Sequence, residues 1–171
     1  FARFFMRICC GIGVSGNMAA HIKRNTVTGA ATGYQVAGLI DVAYCTSYGG
    51  CAPYGPNLPT AIIDSNTVTG GTTWGIRAEN VDSLDIVANR VENLNLAIGA
   101  YYLDYEFFGA IAVLKSVQNF GRVAGNVIRH IHGNGIVVAH EGITLSVDSN
   151  VVADIDSSGL TFQPLGYSSF I

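Results

Sequence analysis

Ile22-Lys-Arg-Asn25-Thr-Val27, Ile63-Asp-Ser-Asn66-Thr-Val68, Ile86-Val-Ala-Asn89-Arg-Val91, Val123-Ala-Gly-Asn126-Val-Ile128 and Val147-Asp-Ser-Asn150-Val-Val152 are five copies of one six-residue word. Each copy sets a β-branched residue, two variable positions, asparagine, a variable position and a second β-branched residue. The asparagines are 41, 23, 37 and 24 residues apart. Two of these intervals share a period near 23, and the other two exceed it by 18 and 14. A word that returns at a fixed period marks stacked structural units.

A second word keeps step with the first. Gly75-Ile76, Gly135-Ile136 and Gly159-Leu160 follow their asparagines by nine residues, and Gly33-Tyr34 follows Asn25 by eight. The fourth unit departs, with Ile98-Gly99 at that place. Between the words the chain alternates with period two, as in Leu84-Asp-Ile86 and Leu145-Ser-Val147. Alternation sends one set of side chains inward and the other outward from an extended strand. The branched Cβ of Val and Ile packs well on a pleated surface. Gly, Asn, Asp and Ser punctuate the short strands as turn formers. Asn25, Asn66, Asn89, Asn126 and Asn150 are therefore expected at one corner of the stack. There the short amide tolerates left-handed backbone angles, and equivalent asparagines bond to one another as a ladder.

The word pair, Gly-Ile followed by Leu-x-(Ile/Val)-x-x-Asn-x-(Val/Ile), resembles the coil repeat of right-handed parallel β-helix proteins, a superfamily with pectate lyases, polygalacturonases, alginate-modifying enzymes and phage tailspikes. The resemblance runs over roughly residues 20 to 163. It implies an all-β fold, a single-stranded β-solenoid of about five to six rungs with two loop insertions. Residues 1–171 then form a single β-helix domain or a segment of a longer solenoid. A leucine-rich repeat is the rival architecture, but leucine fills none of the ten hydrophobic positions flanking the five asparagines. Nor does a helix-forming segment follow each asparagine.

Composition narrows the setting. Charged residues make up 12% of the chain, about half the usual share, and mean hydropathy is +0.36. So apolar a surface calls for a covering partner. A net charge of −3 with nine scattered basic residues argues against nucleic acid. No uninterrupted apolar run reaches membrane-spanning length: Asp104 and Glu106 break the stretch from Leu94 to Leu114. Low charge, a stacked β-fold and abundant Gly, Asn, Ser and Thr favour an extracellular or cell-surface setting. Cys45 and Cys51 bracket a short loop that closes as a local disulfide or carries two free thiols, and the cysteine spacing fits no zinc module. No cofactor is expected.

Chemistry has three candidate locations. The long intervals hold insertions rich in aromatic residues: Tyr48 and Tyr54 in the first, Tyr101, Tyr102, Asp104, Tyr105 and Glu106 in the second. Loops on a rigid scaffold commonly carry binding residues. Aromatic faces beside carboxylates suit sugar rings, and loops leaving one edge would wall a groove; packing against the stack or a subunit is the competing reading. His130 and His132, two apart on a strand, form with His140 a candidate metal site. Asp82, Asp85, Asp154 and Asp156 read as ordinary solvent-facing positions.

Against the superfamily's enzymes the chain falls short. The Asn-Thr-Asp, Asp-Asp, Gly-His and Arg-Ile-Lys words of polygalacturonases do not occur. Nor does a compact acidic cluster stand beside an arginine or lysine in sequence, as a pectate lyase requires. The reading is a non-catalytic scaffold or adhesin-like module that contacts glycans through its insertions; a polysaccharide lyase or glycoside hydrolase is the alternative. The apolar ends, with Phe4, Phe5, Phe170 and Ile171, are expected at contacts with neighbouring subunits.

Overall fold

The computed structural model describes residues 11–15, 18–29, 39–43, 58–72, 74–96, 109–141 and 145–164. These form strands and no helix. The strands are β1 (Ile12–Ser15), β2 (Ala19–Lys23), β3 (Thr26–Thr28), β4 (Ile40–Ala43), β5 (Thr60–Asp64), β6 (Thr67–Thr69), β7 (Ile76–Val87), β8 (Arg90–Asn95), β9 (Gly109–Ala124), β10 (Val127–His132), β11 (Asn134–Glu141), β12 (Leu145–Asp148), β13 (Val151–Ile155) and β14 (Leu160–Pro164). The helix that a leucine-rich repeat would set after each strand is absent from the described residues.

Among the described residues every pairing is parallel and joins equivalent positions of successive units. The first face runs β1, β4, the start of β7, the start of β9, β11, β14. The second runs β2, β5, the rest of β7, the rest of β9, β12. The third is a five-stranded sheet, β3, β6, β8, β10, β13. The chain visits the three faces in that order in each unit. β7 and β9 bend from the first face to the second through register shifts on either side of Val81. Asn80 (φ 51°) and Lys115 (φ 63°) make the bends in the left-handed region.

The two β-branched positions of the repeated word face inward. Ile22, Ile63, Ile86 and Val123 are buried in one column, and Val27, Val68, Val91 and Ile128 in another. Ile40, Ile76, Ile111 and Ile136 line the interior from the first face. Glycine before Ile76 and before Ile136 answers a close approach. A Cβ on Gly75 would lie 2.7 Å from the carbonyl oxygen of Ala110, and one on Gly135 2.5 Å from that of Gly159.

Two expectations need correction. The left-handed residue at the corner is not the asparagine but its predecessor: Arg24 (φ 56°), Ser65 (φ 57°), Ala88 (φ 54°), Gly125 (φ 63°) and Ser149 (φ 56°). The insertions also leave different corners. The first links β4 to β5, between the first and second faces; the second links β8 to β9, between the third and first. Their anchors lie at opposite ends of the first-face strands.

Candidate functional site

The asparagines form a continuous column. Oδ1 of Asn89 accepts from the backbone N–H (2.9 Å) and Nδ2 (2.9 Å) of Asn66. Asn89 in turn donates its N–H (2.9 Å) and Nδ2 (3.1 Å) to Oδ1 of Asn126. The same pair of bonds joins Asn25 to Asn66 and Asn126 to Asn150. Nδ2 of Asn89 also reaches the carbonyl of Ile63, and its own carbonyl accepts from Val127 N–H. A buried polar side chain needs both donor and acceptor here. Aspartate lacks the donor.

The densest buried chemistry lies on the outer side of the first face. Arg77 donates from Nε to Oδ1 of Asp41 at 2.8 Å and from Nη2 to Oδ2 at 3.0 Å, a two-pronged contact between neighbouring units. Its Nη1 stands 3.0 Å from Oε2 of Glu79, and Lys115 Nζ pairs with Oε1 of the same carboxylate. The guanidinium carbon lies 5.0 Å from the centre of the Trp74 ring. Asp41, Arg77 and Glu79 are all buried. Burial pushes the Asp41 carboxyl above its ordinary value, against the hydrogen bonds and charge of Arg77, which pull it down. Buried ions, strained backbone at Asn80 and Lys115 and a register shift coincide at this corner. Such features gather at functional sites.

Sequence spacing hides this cluster. Asp41 and Arg77 are 36 residues apart, and strand register alone makes them neighbours. Arg77 therefore stands beside acidic groups in space, a neighbourhood that the order of residues in the sequence does not contain. The detectable signal was Arg77-Ala-Glu79, a base and an acid two apart on one strand.

His130 and His132 lie exposed on the third face. His130 Nδ1 is 3.5 Å from Asp154 Oδ2, and His132 Nδ1 is 2.7 Å from Asp156 Oδ2. Asp156 Oδ1 also accepts from Gly133 N–H at 2.5 Å. That backbone bond first, and His132 second, hold the Asp156 carboxyl below its ordinary value. His130 is left-handed (φ 54°), so the strand departs there from simple alternation. The backbone of His140 belongs to the first face, in register with Lys115 and Pro164, so the three histidines do not share one face. Among the described residues no group of three or more His, Cys, Asp or Glu could hold a metal ion.

Asp82 Oδ1 accepts from Asn119 Nδ2 at 2.6 Å and its Oδ2 from Ser83 Oγ at 3.0 Å, where the first face meets the second. Tyr48, Tyr54, Tyr101, Tyr102, Asp104, Tyr105 and Glu106 lie outside the described residues, as do Cys45, Cys51, Phe4, Phe5, Phe170 and Ile171. Among the described residues no helix is long and apolar enough to cross a membrane. Comparison with protein-family models, curated proteins and solved structures finds no match to this chain.

Proposed function

We propose that the chain is a right-handed parallel β-helix that serves as a non-catalytic scaffold or adhesin-like module of a surface-exposed or secreted assembly. The asparagine column carries this reading: it runs through five successive units with its buried bonds satisfied. Right-handed crossovers are the rule between parallel strands of one sheet. Unit-by-unit stacking builds a rigid rod whose corners accept insertions. Glycan contact falls to the insertions after Ala43 and after Leu96, with their tyrosines and with Asp104 and Glu106. The protein is expected to bind immobilised glycans and to release no unsaturated or reducing sugar from acidic polysaccharides, with or without calcium. Sugar release by the purified protein defeats the non-catalytic reading.

The Asp41–Arg77–Glu79–Lys115 cluster favours a second reading, a polysaccharide lyase or glycoside hydrolase. It joins two carboxylates to two bases at a strained corner. Turnover abolished by Glu79→Gln would locate the chemistry in the cluster. Turnover abolished by changing Asp104 or Glu106 would locate it in the second insertion.

A further inference from the structure

The charges of this chain are sorted along its stacking direction. Residues 1–40 hold Arg3, Arg7, Lys23 and Arg24 and no Asp or Glu. Residues 130–171 hold Glu141, Asp148, Asp154 and Asp156 and no Lys or Arg. Because the units stack in chain order, among the described residues the first unit, with Lys23 and Arg24, is the basic end and the last, with Asp148, Asp154 and Asp156, the acidic end. Lys23 pairs with Asp64, Asp148 with Arg122, and Asp154 and Asp156 with histidines, yet these side chains stay exposed. Their fields reach solvent, and opposite potentials at the two ends attract each other.

Among the described residues the terminal strands keep one edge unpaired at each end, and the interior is the more open at the last unit. Among the described residues β1, β2 and β3 pair on one side alone, and so do β12, β13 and β14. Leu160 and Phe162, in register with the buried Ile136 and Val138, are 47% and 59% exposed. The asparagine column has direction: among the described residues no donor reaches Oδ1 of Asn25, and the N–H of Asn150 finds no acceptor. One end offers an acceptor and the other a donor.

We propose that the chain self-associates head to tail, the acidic end formed by β12, β13 and β14 of one copy docking on the basic end formed by β1, β2 and β3 of the next. A two-fold contact would set acid on acid or base on base. The contact is therefore heterologous, and such contacts extend into rings or filaments.

Sedimentation of the full chain tests this. At low salt the weight-average mass rises with concentration beyond a dimer, and it falls towards the monomer in about 1 M sodium chloride, where charges are screened beyond about 3 Å. A head variant, Lys23→Gln with Arg24→Gln, and a tail variant, Asp148→Asn with Asp154→Asn, each weaken self-association by about tenfold or more. Mixed, they form a one-to-one dimer that grows no further, because each supplies one intact end. Far-UV spectra check that both variants fold, and the salt response of the native chain is independent of them. A native chain that stays monomeric at every concentration overturns the proposal. So does growth that halts at a dimer, or association indifferent to both salt and variants.

Discussion

Arg77 holds both carboxylate oxygens of Asp41, at 2.8 and 3.0 Å, and a third oxygen, on Glu79, at 3.0 Å. Asp41 comes from one unit, Arg77 and Glu79 from the next, and Lys115 from the one after. The ion network thus staples three units on the outer side of the first face.

Removing the arginine is therefore costly. Arg77→Ala leaves the Asp41 carboxylate buried without its cation and Glu79 with Lys115 alone, and we expect a loss of about 3–5 kcal/mol in chemical denaturation. A loss below about 1 kcal/mol would mean that water enters and solvates the cluster.

Asparagines at the middle and the end of the column differ in their partners. Asn89→Ala strands the N–H of Asn66 and one hydrogen of its Nδ2, whose other hydrogen stays on the carbonyl of Ile22, and removes a donor from the carbonyl of Ile63, all buried. Each stranded group costs about 1–3 kcal/mol, so the variant is expected to be barely folded. Asn25→Ala, at the half-buried end of the column, is expected to cost about 1 kcal/mol. Equal losses in urea titrations would contradict a cooperative column.

Burial separates isoleucines on one pair of strands. Ile86 is fully buried, and Ile86→Ala should cost about 2–5 kcal/mol. Ile62 points outward from the second face and is exposed, so Ile62→Ala should stay within about 0.5 kcal/mol. Matched urea titrations of the two variants decide it.

Asp156 gives the acid response a direction. Its carboxyl titrates below its ordinary value of 3.8 because Gly133 N–H and His132 favour the ionised form. The contribution to stability is fully present above that ordinary value and disappears as pH falls through the lowered folded value. Asp41 runs the other way, since its raised value makes stability fall as pH climbs from 3.8 to the folded value. Carboxyl carbon shifts in an NMR pH titration should show Asp156 titrating at lower pH than Asp41. The reverse order would refute the assignment.

Residue patterns revealed the interior far better than the outer faces. The β-branched positions of the Asn word are inward because they flank a corner that every unit repeats. The Gly-Ile word was harder to follow through the insertions. Among the described residues the first-face strand of the second unit pairs from Ile40 and that of the fourth through Ile111, while Gly33-Tyr34 and Ile98-Gly99 lie outside them. The link from third face to first changes length between units, and the inward residue needs a branched side chain, not a preceding glycine. Ile12, after Gly11, opens the first face and carried no asparagine before it to give it away. The Asp41–Arg77 contact was illegible because outward residues on parallel strands meet through register alone.

The left-handed position before each asparagine is filled by Arg24, Ser65, Ala88, Gly125 and Ser149, five occupants of four chemical types. All five are exposed. Their shared backbone shape belongs to the corner beside the amide column and is met by side chains as different as arginine and alanine. The stack thereby carries a comb of outward attachment points about 4.8 Å apart. Cysteines introduced at Ser65 and Ser149 would hold a pair of spectroscopic labels at a spacing set by the number of units between them, turning the molecule into a ruler.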